Sequence, residues 1–286
     1  MPVDADILDV LIIPAGTVAE ERDLVTSGDV MIGGQSNVDF GIRAKNIVVG
    51  ERVRIGNGIE VEEECRIDIW CEIEGNVIVG ENAYLGEKVN ISGKLAVGGD
   101  LDIGDDVHIN EGFEAKGWIN IRNPIPTIIF LFIYLTQLLR IGEEEAAENL
   151  MSEILEDEVD EEGFDPLIIP RGSQISDEIW RVSTAVIIKN ECRLRGNFRA
   201  ADIDIGENVN LFGSIRVRED IIIGRDTRIH GDVTTREGNI LLRSGAHILG
   251  DVSCGRLEIQ EGARVEGTIR AKEGMKIISL ENKPEE

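Results

Sequence analysis

Apolar positions along this chain alternate with polar ones over short runs, and each run breaks at a compact turn. Ile215 and Val217, then Ile221 and Ile223, stand at alternate positions between charged neighbours. Such period-2 alternation predicts strands with one buried face. A longer phrase recurs around these runs, an aliphatic residue followed by a polar turn, a small residue and another aliphatic. It reads Ile205-Gly-Glu-Asn-Val209-x-Leu211, Ile223-Gly-Arg-Asp-Thr227-x-Ile229, Leu242-Arg-Ser-Gly-Ala246-x-Ile248 and Ile259-Gln-Glu-Gly-Ala263-x-Val265, at intervals of 18, 19 and 17 residues. The same phrase occurs at Val49, Val79 and Ile103.

A period near 18 is too short for ankyrin, tetratricopeptide or propeller units and fits one winding of a parallel β-helix, with three short strands and three turns per coil. Glycine and Asx residues fall between the runs, where corners need compact turns or positive φ. The expected fold class is therefore all-β. The inward set is Ile, Val, Leu and Ala, which predicts a narrow, dry core without room for a small-molecule cavity.

The chain also contains itself twice. Leu-Ile-Ile-Pro at 11–14 recurs at 167–170, and a constant shift of 156 then matches Gly16 with Gly172, Gly50 with Gly206, Val61 with Val217 and Lys116 with Lys272. Two parallel β-helix domains follow, residues 1–122 and 166–286, each of roughly six coils and near 30 Å long at about 4.8 Å per strand. The joining segment would let the two rods stack in sequence, or would return the chain so that like ends meet; both remain open at this point.

Residues 123–165 break the repeat and predict an α-helical hairpin. Pro126 suits a first helical turn and Gly142 a stop, around Ile128, Ile129, Phe130, Leu131, Phe132, Ile133, Tyr134, Leu135, Leu138 and Leu139. This run of about 13 residues is shorter than the roughly 20 that span a bilayer. It is expected to pack on a partner helix or over an open rod end, to dock on a membrane surface, or to join subunits. A second helix, Glu143 to about Glu158, carries an apolar stripe of Ala147, Leu150, Met151, Ile154 and Leu155, with its leading glutamates at the positive end of the helix dipole.

Charge removes some functions. Against 55 Asp+Glu stand 29 Lys+Arg, a net charge of −26, and no basic stretch exists to meet nucleic-acid phosphates. The acidity suits either a salt-rich cytoplasm or the solubility of a long rod. Cys65, Cys71, Cys192 and Cys254 form no CxxC pair, so they are expected to be reduced, partly buried thiols rather than zinc ligands. The N-terminal residues lack a signal pattern, and a cytoplasmic location is expected.

The second repeat resembles the bactofilins, polymer-forming cytoskeletal proteins, in Ile229-His-Gly-Asp-Val233, Ile248-Leu-Gly-Asp-Val252, Leu257-Glu-Ile259 and Val265-Glu-Gly-Thr-Ile269. The resemblance covers Ile203 to Ile278 well. The first repeat is weaker, with Gly75-Asn76 and Ser92-Gly93 in place of the Gly-Asp step. The resemblance implies a right-handed β-helix that stacks end to end into nucleotide-independent, nonpolar filaments at the inner face of the membrane. The tandem repeat and the insert depart from the usual single domain.

Polymerisation also has a physical argument. A β-helix ends in open strand edges over an uncovered core, and such edges pair with another chain unless capped. Met275, Ile277 and Ile278 in the last coil have no evident cap, and they are the expected polymerisation interface. Stacking also predicts outward columns, Asn210, Arg228, His247 and Arg264 in the second repeat, and Arg54, Tyr84 and His108 in the first beside an acidic row of Glu51, Glu81 and Asp105. Like charges at strand spacing repel, so salt is expected to favour stacking.

Two other functions compete. Hexapeptide acyltransferases share the aliphatic-Gly phrase, but they need a trimer cleft, a base histidine and a long loop, whereas turns here are short. An anhydrase-like zinc site needs three histidines, and the chain has only His108, His230 and His247, at non-equivalent coil positions. A non-polymerising scaffold would share the fold. No catalytic, metal or cofactor residues are assigned, no small-molecule substrate or nucleic acid is expected, and the expected partner is the chain itself.

Overall fold

A computed structural model describes residues 9–121 and 165–278; the expected helical hairpin and its apolar run lie outside these residues. The described residues form 38 short strands in three sheets of 14, 12 and 12 strands, wound as one β-solenoid of about 12 coils. Almost all neighbouring strands pair in parallel, with equivalent residues one coil apart: Ile47, Cys65, Ala83 and Leu101 stand in one such row. All four are buried.

The corners explain the period. Left-handed backbone recurs once per coil, at Gly16, Gln35, Arg52, Trp70, Lys88 and Asp106, and again 156 or 157 residues later from Gly172 to Gly262. The Gly-Asp steps serve another corner. The Asp232 carboxylate accepts the Asp251 N–H at 2.9 Å, and the Asp251 carboxylate accepts the Thr268 N–H at 2.8 Å. A Cβ on Gly231 would lie 2.4 Å from the Ser214 hydroxyl and 2.6 Å from the Gly213 carbonyl oxygen, so only glycine lets the coils stack there.

The two repeats run through shared sheets, and like ends meet at the centre. The N-terminal strands are exchanged across that junction. Leu11–Ile13 lies parallel to Val186–Ile188 of the second repeat, and Leu167–Ile169 lies parallel to Val30–Ile32 of the first. The exchanged strands meet antiparallel, with Ile12 opposite Ile168. Val18 likewise pairs with Arg193, and Gln174 with Asn37. Hydrogen bonds repeat the exchange. The Ser36 hydroxyl donates to the Pro170 carbonyl at 3.0 Å, and the equivalent Cys192 thiol donates to the Pro14 carbonyl at 3.1 Å.

The core is aliphatic along most of the rod, as the alternation predicts, but the junction holds an aromatic plug. Trp180 is fully buried, stacked on Phe198 at 5.0 Å and tilted against Phe40 at 6.2 Å. Its indole N–H donates to the Arg195 carbonyl at 2.9 Å. Register alone gave no sign of this cluster, because the equivalents of Trp180 and Phe198 are Leu24 and Ile42.

Candidate functional site

Because the N-terminal sides of both repeats are consumed in the junction, both outer ends of the rod are C-terminal coils. Ile119–Ile121 and Met275–Ile278 are the two outermost strands of the 14-stranded sheet, each with a neighbour on one side only. Among the described residues an inward-facing residue in such a coil has no next coil above it. Met275 is 52% and Ile277 69% exposed, and Ile278 is half-buried. At the other end Phe113, Trp118, Ile119 and Ile121 are exposed.

This second end was missed in the sequence, where only Met275, Ile277 and Ile278 were singled out. The signal was available: the 156 shift maps Ile119 and Ile121 onto Met275 and Ile277. Among the described residues no strand pairs with the outer backbone edge at either end. The Trp118 N–H reaches back to the Asp100 carboxylate at 2.6 Å, closing that corner ladder at the last coil.

The sides of the rod carry the outward columns. Asn210, Arg228, His247 and Arg264 do stand one above another. In the first repeat Arg54 and His108 share a column, with Glu72 and Asn90 between them. Tyr84 is instead on the 14-stranded sheet between Arg66 and Asp102. The acidic row is also corrected: Val77–Val79 belongs to a different sheet from Ile47–Val49 and Leu101–Ile103, so Glu81 is not above Glu51. The turn between Glu51 and Asp105 passes through Ile69 and Glu87. The phrase at Ile67-Asp-Ile-Trp lacks the glycine, which hid the true 18-residue step.

The side chains with reactive chemistry are dispersed. His230 stacks on Phe212 at 4.2 Å and its Nε2 lies 2.9 Å from Asn210 Oδ1, with its pKa lowered by desolvation and by Arg228. His247 Nε2 lies 2.8 Å from a Glu266 carboxylate oxygen, while His108 is on the other repeat. Among the described residues no cluster of His, Cys, Asp or Glu could hold a metal ion. All four cysteines are free and buried. Burial pushes the Cys65 and Cys71 thiols up to about 12 and Cys192 up to about 11. Such thiols are inert rather than nucleophilic. A polar hollow beside Arg218, Asp220, Arg236 and Asn239 lies open at a corner.

A column of another kind runs along the outside of the 14-stranded sheet across the junction. Val48, Met31, Ile168, Ile12 and Ile187 follow one another there, and Ile222 and Leu241 continue the apolar run beyond Asp204. Ile168 is buried there, Ile187 is exposed and the others are half-buried, an aliphatic run that alternation does not predict.

Residues 168–270 match the family model of the bactofilins, described as polymer-forming cytoskeletal. The second repeat is similar to a bactofilin domain. No curated protein and no solved structure matches the chain. The bactofilin match begins within the exchanged strand Leu167–Ile169 and ends one strand short of Met275–Ile278, so it spans nearly the whole second half of the solenoid. Bactofilin domain and β-solenoid together fit a polymer-forming cytoskeletal protein. Among the described residues no helix is long and apolar enough to cross a membrane.

Proposed function

We propose that this chain is a cytoplasmic filament subunit that adds end to end through the open coils at both ends of its rod, without a nucleotide. The observation that carries this is the pair of uncovered aliphatic edges, Phe113, Ile119 and Ile121 at one end and Met275, Ile277 and Ile278 at the other. Each is, among the described residues, a strand edge with a neighbour on one side only, over a core that another coil would continue. Ile277→Arg places a charge in that seam, and it is expected to shift the protein from fast-sedimenting polymer to monomers or short oligomers. Unchanged polymer in this variant would overturn the assignment. Discrete trimers in electron micrographs would instead favour the acyltransferase alternative, and single rods the scaffold.

The same proposal includes attachment to a membrane surface through residues 128–139. The run itself supports it, since about 13 consecutive, mostly apolar residues are too few to span a bilayer but can lie in its interface. Full-length chain is expected to pellet with liposomes and the chain lacking residues 124–163 to stay in the supernatant. Equal pelleting would remove the insert from this role.

A further inference from the structure

The two ends of the rod are equivalent in fold but opposite in charge. Residues 11–121 carry 9 Lys+Arg against 21 Asp+Glu, a balance of −12, whereas the matching residues 167–277 carry 17 against 16, a balance of +1. The contrast persists in the last coils. Residues 104–121 hold one Lys+Arg and 4 Asp+Glu (−3), and residues 260–277 hold 4 and 3 (+1). The outward-facing positions of the three strands are His108, Glu114 and Asn120 at the first end. At the second end the same positions are Arg264, Arg270 and Lys276.

Shape differs in the same sense. The corner that carries Trp118, 80% exposed, at the first end is Gly274 at the second, where even an added Cβ would meet nothing within 4 Å. Two first ends brought together would crowd two indoles and two acidic coils into one seam. Two second ends would face basic column against basic column. A first end against a second end joins opposite charges and puts one indole in the seam.

We propose that rods join by unlike ends: the Ile119–Ile121 edge of one copy meets the Met275–Ile278 edge of the next. The filament is then nonpolar in backbone, since like solenoid ends meet at every junction, but directional in chain order, with acidic and neutral halves alternating along it. The covalent tandem thereby makes one junction permanent and leaves one kind of joint to form between chains. This rests on the end-to-end assembly proposed above.

Thiol crosslinking of assembled full-length protein tests it, because the four native cysteines are buried. Three variants are compared with a short bismaleimide: Ile121→Cys, Ile277→Cys, and both together. Cysteine keeps an apolar side chain in the seam, and sedimentation verifies that each variant still polymerises. Joining by unlike ends predicts a ladder of covalent multimers for the double variant and monomers for each single variant. Covalent dimers from either single variant would mean that like ends meet; they would overturn this pairing and leave end-to-end assembly intact. Absence of crosslinks in all three, with no polymer in sedimentation, would overturn end-to-end assembly and this pairing with it.

Discussion

At the scale of single residues, much of the chain's chemistry is devoted to stacking. Asp232 and Asp251 each accept a backbone N–H from the coil above, which explains why the Gly-Asp step recurs where the bactofilin resemblance is strongest. Cys71 and Cys192 serve likewise, and Cys71 donates to the Gly50 carbonyl at 3.0 Å where its equivalent Thr227 donates to Gly206 at 2.8 Å. The thiols therefore leave a signature in pH. Below about pH 9 the folded and unfolded chains both keep these protons. From the ordinary 9.0 up to about 12 the unfolded chain ionises first and binds fewer protons, so stability falls as pH rises. Each thiol contributes at most about 1.4 kcal/mol per pH unit. Urea unfolding between pH 8 and 11 should show a smaller alkaline loss in Cys65→Val than in the parent chain; equal slopes would contradict the burial argument.

At the scale of elements, the exchanged strands make each repeat's first coil depend on the other repeat. Leu11 and Ile13 are fully buried in the second repeat's end of the rod, and Leu167 and Ile169 in the first's. Burying each such side chain stabilises by about 1.5–3 kcal/mol, so neither half closes its own core. Residues 1–123 and 164–286 produced as two separate chains are accordingly expected to copurify through a tag on one of them. Independent elution of the halves would exclude the exchange. The outward strand positions were legible in the second repeat, where the glycine-bearing phrase marks each coil. They were misassigned in the first, because Tyr84 and Glu81 were placed by phrase similarity while Ile67 and its turn carried the real period.

At the scale of the whole molecule, duplication and exchange together produce a rod whose two ends are the same end. The sequence by itself determined the coil, its period near 18, the aliphatic interior and the twofold repetition, because these follow from local alternation and turn chemistry. Only the tertiary structure decided that the repeats meet head to head and trade strands. The physical reason lies in the repeat: residues 156 apart offer the same inward aliphatics and the same hydrogen-bond register. Leu11–Ile13 would therefore satisfy the alternation equally well on Val30–Ile32 or on Val186–Ile188. What separates those arrangements is long-range packing, the aromatic plug of Phe40, Trp180 and Phe198 and the antiparallel meeting of Ile12 with Ile168, and no local pattern encodes it.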